Sequence, residues 1–188
     1  NPLVKDLHIA EIKPERLEEV KKLTNPVTAT LDYKNLLKND DIDAYFISAT
    51  PEDIHFPMAK DCMEAGKHVF LEKPLSITLA EADELVALAE KNNVKFTIGY
   101  SQRFNPKFAY LKKCLNEGTI GKPVAGLVSR HITRGLGNKI GKRIKLSPAA
   151  MEATHDLDFL LWCLDPAKPV RVYSQSAYGA MQNVTGLE

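Results

Sequence analysis

The sequence has 188 residues, 44% of them hydrophobic, and a formal net charge of +1. That length suffices for one ordinary domain or two incomplete ones, and the balanced charge gives no reason to expect a nucleic-acid or membrane partner. There is no run of about 18 apolar residues to cross a membrane, no charged-then-apolar leader pattern in residues 1–6, and no CxxC pair among Cys62, Cys114 and Cys163, which points to reduced cytoplasmic thiols and no metal site.

In chain order, residues 7–12 read as a strand and residues 14–20 as a helix with Pro14 in its first turn, where a missing N–H does no harm. Residues 44–48 form a short apolar run typical of a buried parallel strand. Helical spacing follows through Ile54, Met58, Cys62 and Ala65, with Gly66 placed to end the helix. Residues 68–71 are another strand. The stretch 79–92 puts Leu79, Ala82, Leu85, Val86 and Ala89 on one helical face, with Thr78 and Glu81 spaced as a capping box. Residues 94–99 close the first half as a strand. This alternation predicts an α/β fold with a parallel sheet covered on both faces, a nucleotide-binding domain over residues 1–100. Ligands of such sheets bind beyond the carboxyl ends of the strands.

After Tyr100 the pattern changes. A helix over 105–117 ends at Gly118, residues 123–132 alternate like a strand, and a Gly- and Lys-rich stretch runs over 133–146. A short apolar helix over 155–164 and a strand over 170–177 follow. Residues 101–188 thus read as the start of an α+β substrate or oligomerisation domain.

Four places carry chemistry. Glu11, at the end of the first strand, suits the ribose hydroxyls of a dinucleotide and repels a 2′-phosphate; an ordinary surface glutamate satisfies the same spacing. Thr50 and Pro51 follow the second predicted strand, with His55 one helical turn on, where backbone N–H groups meet a nucleotide or simply turn the chain. Glu72-Lys73-Pro74 follows the third, which places a lysine beside a carboxylate for proton chemistry or for a surface ion pair. His155 and Asp158 share a helix face, a proton shuttle with an orienting or substrate-binding carboxylate, or a capping cluster with Thr154 and Asp156. A basic stretch, Arg130, His131, Arg134, Lys139, Lys142, Arg143 and Lys145, has no interleaved aromatic residue to stack on single strands; it fits an anionic ligand or a solvated loop.

The string Asp43-Ala44-Tyr45-Phe46-Ile47-Ser48-Ala49-Thr50-Pro51, then His55, then Ala65-Gly66-Lys67-His68-Val69-Phe70-Leu71-Glu72-Lys73-Pro74-Leu75, resembles the glucose–fructose oxidoreductase and inositol dehydrogenase family. Pro14-Glu15-Arg16-Leu17, Gln102-Arg103-Phe104-Asn105-Pro106, Gly118-Thr119-Ile120-Gly121-Lys122-Pro123 and His155-Asp156-Leu157-Asp158 fall where that family has similar motifs. The resemblance implies a Rossmann-like fold and hydride transfer between NAD, rather than NADP, and a secondary hydroxyl of a sugar or cyclitol. It implies a cofactor site lined by Glu11, Thr50, Pro51, His55, Glu72 and Lys73, catalytic roles for Lys73 and His155, and substrate binding by Asp158 and Arg103. It also implies a homo-oligomer. Two departures stand out. No GxGxxG precedes Glu11, so the chain reads as lacking the N-terminal glycine loop and as stopping early in its second domain; by itself it is expected to bind nucleotide poorly and to be inactive. Many members also carry an aspartate four residues before the histidine, where this chain has Met151 followed by Glu152. A non-catalytic nucleotide- or sugar-binding regulator on the same fold is the rival reading.

Overall fold

The computed structural model describes residues 3–133, 135–136, 146 and 148–175. In chain order its elements are β1 (His8–Ala10), α1 (Pro14–Thr24), β2 (Thr28–Thr30), α2 (Lys34–Leu37), β3 (Ala44–Ile47), α3 (His55–Glu64), β4 (His68–Leu71), α4 (Leu79–Lys91), β5 (Phe96–Ile98), α5 (Pro106–Asn116) and α6 (Pro148–Leu164). Single 3-10 turns, Glu52–Ile54 and Ser101–Phe104, precede α3 and α5.

The strands form two parallel sheets. β1 pairs with β2, His8 opposite Thr28. β4 lies between β3 and β5, with Ile47 opposite Leu71 and Leu71 opposite Ile98. Alternation along β4 sends Val69 and Leu71 inward, where Ile47, Ala59, Cys62, Met63, Leu85 and Ala89 close the core between this sheet and α3 and α4. Each large side chain buried there contributes about 1.5–3 kcal/mol of transfer free energy. The other face carries Phe46 and Phe70, stacked at 4.7 Å with rings 9° apart. Phe46 keeps 67% of its exposure, so this face is open among the described residues, where the sequence predicted cover on both sides.

Local signals set the ends of the helices. Thr78 and Glu81 form the expected capping box, Glu81 N–H donating to Thr78 Oγ1 at 3.3 Å and Thr78 N–H to Glu81 Oε2 at 3.1 Å. Gly66 adopts a φ of +74°, and the N–H of Lys67 then reaches back to the Cys62 carbonyl at 3.0 Å, which closes α3 in a Schellman turn. Asn105 caps α5 through Lys107 N–H at 3.0 Å.

Several expectations need correction. β2 and α2 were not foreseen: three residues of Thr-Ala-Thr and one helical turn are too short to show a period. α6 begins seven residues before the predicted helix over 155–164, so Thr154, Asp156 and Asp158 lie inside it and do not cap it. Residues 123–132 form no strand, nor do residues 170–175; positions 176–177 lie outside the described residues. A strand exists through its neighbour's hydrogen bonds, and Val124, Leu127 and Val170, at 97%, 96% and 101% exposure, have no neighbour here. No helix among the described residues is long and apolar enough to cross a membrane.

Candidate active site

The carboxyl ends of the parallel strands carry Glu11, Thr50-Pro51, Glu72-Lys73-Pro74 and Gly99-Tyr100. At the tip of β4 the chain remains in register for one more bond, Glu72 N–H donating to the Ile47 carbonyl at 2.8 Å. The Glu72 side chain folds back and accepts from Lys73 N–H at 3.0 Å. It lies directly over Gly99: a Cβ there would stand 3.2 Å from Glu72 Oε1 and 3.2 Å from the Phe70 ring. The glycine thus gives the carboxylate its seat.

Lys73 leaves the sheet and crosses to α6. Its Nζ donates to the Met151 carbonyl at 3.1 Å and to Glu152 Oε1 at 3.4 Å, and its side chain is only 15% exposed. The amine therefore sits in the cleft between the sheet and α6, out of bulk solvent. His155 lies one turn further along α6, edge-on to Tyr100 with ring centroids 6.3 Å apart and planes at 82°. Thr154 Oγ1 donates to the same tyrosine's hydroxyl at 3.2 Å. Burial, then the positive charge of Lys73, holds His155 below the ordinary imidazole value of 6.5; Glu152 and Glu72 oppose that shift and Arg130 adds to it. Nδ1 of His155 is buried and without a hydrogen-bond partner.

The remaining predicted residues fall into separate groups. Asp158 turns to Arg103 and not to His155: Nε and Nη2 of the guanidinium donate to its two oxygens at 2.8 and 2.6 Å, and the same guanidinium lies 5.7 Å from the centre of the Trp162 ring. This bidentate pair ties the Ser101–Phe104 turn to α6. His55 is buried at 1% exposure, its ring nitrogens 2.8 Å from the Pro74 carbonyl and 2.9 Å from that of Ala49. Its ring is sealed beneath the loops that carry Thr50, Pro51 and Lys73, so it does not line an open cofactor surface as the sequence predicted. Thr50 and Pro51 are exposed. Glu11 belongs to the two-stranded sheet, where it accepts from Lys13 N–H at 3.0 Å and lies 3.7 Å from Arg16 Nε.

Sequence reading left three neighbours of the cleft unassigned. Tyr100 was findable, because it directly follows a predicted strand. Glu152 shares a helical face with His155 at a spacing of three, but the short helix predicted over 155–164 excluded it. Arg130 was read as part of a basic stretch; it is a bidentate partner of Asp156, Nη2 donating to Oδ1 at 2.8 Å and Nε to Oδ2, and its Nη1 lies 3.7 Å from Glu152 Oε2. That pairing holds the Asp156 carboxyl below its usual range. Arg134, Lys139, Lys142, Arg143 and Lys145 lie outside the described residues.

The donor set suits part of a dinucleotide. Glu11 carries a carboxylate able to accept from hydroxyls, and Lys73 and His155 bring an ammonium donor and an imidazole to one cleft. No glycine-rich loop able to cradle a pyrophosphate occurs among the described residues.

Comparison with known proteins agrees with this geometry. Residues 4–100 match the model of the oxidoreductase family with the NAD-binding Rossmann fold. The chain is 34% identical over 115 residues to a myo-inositol 2-dehydrogenase of Thermotoga maritima, covering 61% of this chain and 34% of that protein. It is 30% identical over 146 residues to an inositol 2-dehydrogenase of Salmonella typhimurium, covering 76% and 41%. Among solved structures, a probable dehydrogenase from Thermotoga maritima superposes with a TM-score of 0.73 at 26% identity, covering 87% of this chain and 49% of that one. The scyllo-inositol dehydrogenase of Lactobacillus casei, solved with NAD(H) and scyllo-inositol, shares the fold at a TM-score of 0.70 and 24% identity, covering 85% and 48%. The chain thus spans between about a third and a half of the length of these relatives. Parallel strands with an acidic residue at the end of β1, a lysine at the tip of β4 and a family match over more than half the chain lead to one assignment: the chain belongs to the oxidoreductase family of glucose–fructose oxidoreductase and inositol dehydrogenase, built on the NAD-binding Rossmann fold.

Proposed function

We propose that this chain supplies the catalytic lysine and histidine of a dehydrogenase that moves hydride between NAD and a secondary hydroxyl of a cyclitol or sugar. The observation that carries this reading is the lysine amine: Lys73 Nζ is drawn into the cleft and anchored on the helix that bears His155. NAD, when bound, takes up or returns the hydride. The chain's own residues hold the reacting oxygen and manage its proton. Lys73 donates a hydrogen bond to that oxygen and stabilises the negative charge that grows on it. His155, kept neutral by burial and by the neighbouring ammonium, accepts the proton in the oxidation direction.

Glu11 favours NAD over NADP, since a carboxylate at that position repels a 2′-phosphate. A neutral substrate fits better than an anionic one, because Lys73 is already paired with Glu152, and Arg130 beside it with Asp156 and Glu152. As substrate contacts Asp158 and Arg103 act as a joined pair and not as two free groups. Exposed Val124, Leu127 and Val172 supply apolar surface for homo-oligomer formation, to be checked by sedimentation of the full-length protein.

The test is NADH formation across a panel of cyclitols and sugars by the full-length protein, with Lys73→Met as the decisive variant. Turnover should fall by about 100-fold, the usual loss for an acid–base group, and a fall of less than about 10-fold overturns the assignment.

A further inference from the structure

An ammonium group has three N–H donors and no acceptor. Two of those of Lys73 are already directed at α6, one at the Met151 carbonyl at 3.1 Å and one at Glu152 Oε1 at 3.4 Å. The third has no partner among the described residues and is free for a ligand. The carbonyl fixes one direction through backbone that cannot easily move. The carboxylate fixes the second, and it is held in turn: its other oxygen lies 3.7 Å from Arg130 Nη1, and that guanidinium is clamped by both oxygens of Asp156. Glu152 is 20% exposed and Arg130 29%, so the chain of charges is partly screened from water and stiffer than a surface ion pair.

We propose that Glu152 is a positioning residue for the reaction: from α6 it aims the free donor of Lys73 at the reacting oxygen. The inference rests on the functional reading given above. Several groups face His155 together. Lys73 and Glu72 come from the end of β4, Tyr100 from the end of β5, Arg130 from the segment 123–132, and Glu152 and Asp156 from α6 itself. Among these, Glu152 acts on the imidazole with a charge opposite to that of Lys73. Removing it therefore disturbs both members of the catalytic pair, in a direction that can be read.

The experiment uses the full-length protein with Glu152→Gln, Glu152→Ala and Glu152→Asp. Loss of the carboxylate should lower kcat by about 10-fold or more while the KM for NAD stays within about 2-fold. Without the negative charge, imidazolium is less favoured, so the acidic limb of kcat/KM should move to lower pH in Glu152→Gln; Glu152→Asp should restore part of kcat. A purely structural role would shift stability and leave that limb in place. A second readout needs no turnover: acetylation of Lys73 by acetic anhydride, followed by peptide mass spectrometry, should quicken by about 3-fold or more in Glu152→Ala relative to remote Lys91, because the paired amine is released. Unchanged Lys73 acetylation overturns the proposal, and so does faster acetylation with kcat within about 2-fold of wild type. Faster acetylation in a protein that oxidises no polyol leaves the pairing standing at Lys73 but removes its catalytic meaning, and in that case it is the assignment of activity that has failed.

Discussion

At the scale of single residues, the site depends on a few side chains whose neighbours determine their chemistry. His155 is the clearest. Burial and Lys73 hold its pKa below 6.5, so the pH-rate profile of the full-length enzyme in the oxidation direction should show its acidic limb below that value. The same shift has a stability consequence. The folded state binds fewer protons than the unfolded one between the two pKa values, so stability holds above pH 6.5 and declines as pH falls through the folded value. Urea melts across this range should show a shallower decline in His155→Gln. Gly99 is the second case. With Glu72 Oε1 and the Phe70 ring each 3.2 Å from where a Cβ would stand, Gly99→Ala displaces the carboxylate that orients the Lys73 backbone. The expected result is a stability loss of about 1–3 kcal/mol by urea melt, with a further drop in kcat. The motif around Lys73 was legible in the sequence because strand, Glu, Lys and Pro are contiguous. Nothing in the sequence placed Gly99 beneath Glu72, since that contact joins two strands 27 positions apart.

At the scale of elements, two devices place the strand ends. The capping box of Thr78 and Glu81 fixes where α4 begins, six residues after Lys73. Thr78→Ala should cost about 1 kcal/mol in a urea melt. His55 joins the turn after β3 to the turn after β4 by facing the Ala49 and Pro74 carbonyls. Replacing it with leucine preserves bulk but removes the ring N–H that serves one of these carbonyls, so His55→Leu should destabilise the protein by about 1–3 kcal/mol in the same measurement. α6 shows the limit of pattern reading. Its apolar period begins near His155, but the helix extends back to Pro148. Three of its polar residues, Glu152, Asp156 and Asp158, find cationic partners on other segments and need no solvent-facing side.

At the scale of the whole molecule, the proposed site is divided between the sheet ends and one helix packed across them. The Arg103–Asp158 and Lys73–Glu152 pairs both span this junction. By itself the 188-residue chain should bind NAD weakly, because no glycine-rich loop among its described residues supplies the backbone N–H cradle that a pyrophosphate requires. A submicromolar affinity in a calorimetric titration of the purified chain would contradict this.

The sequence by itself determined the parallel α/β order, the ends of α3 and α4, the family, and the place of a lysine at a strand tip. These rest on contiguous signals: apolar runs, a capping pair, a glycine at a helix end, an ordered string of motifs. Only the tertiary structure decided which carboxylate meets Lys73, that Asp158 belongs to Arg103, that His55 is sealed beneath the loops, and that the segment 123–132 forms no strand. Each of those outcomes depends on what lies across a gap in space, and hydrogen bonds and ion pairs between distant segments leave no period in the chain that makes them.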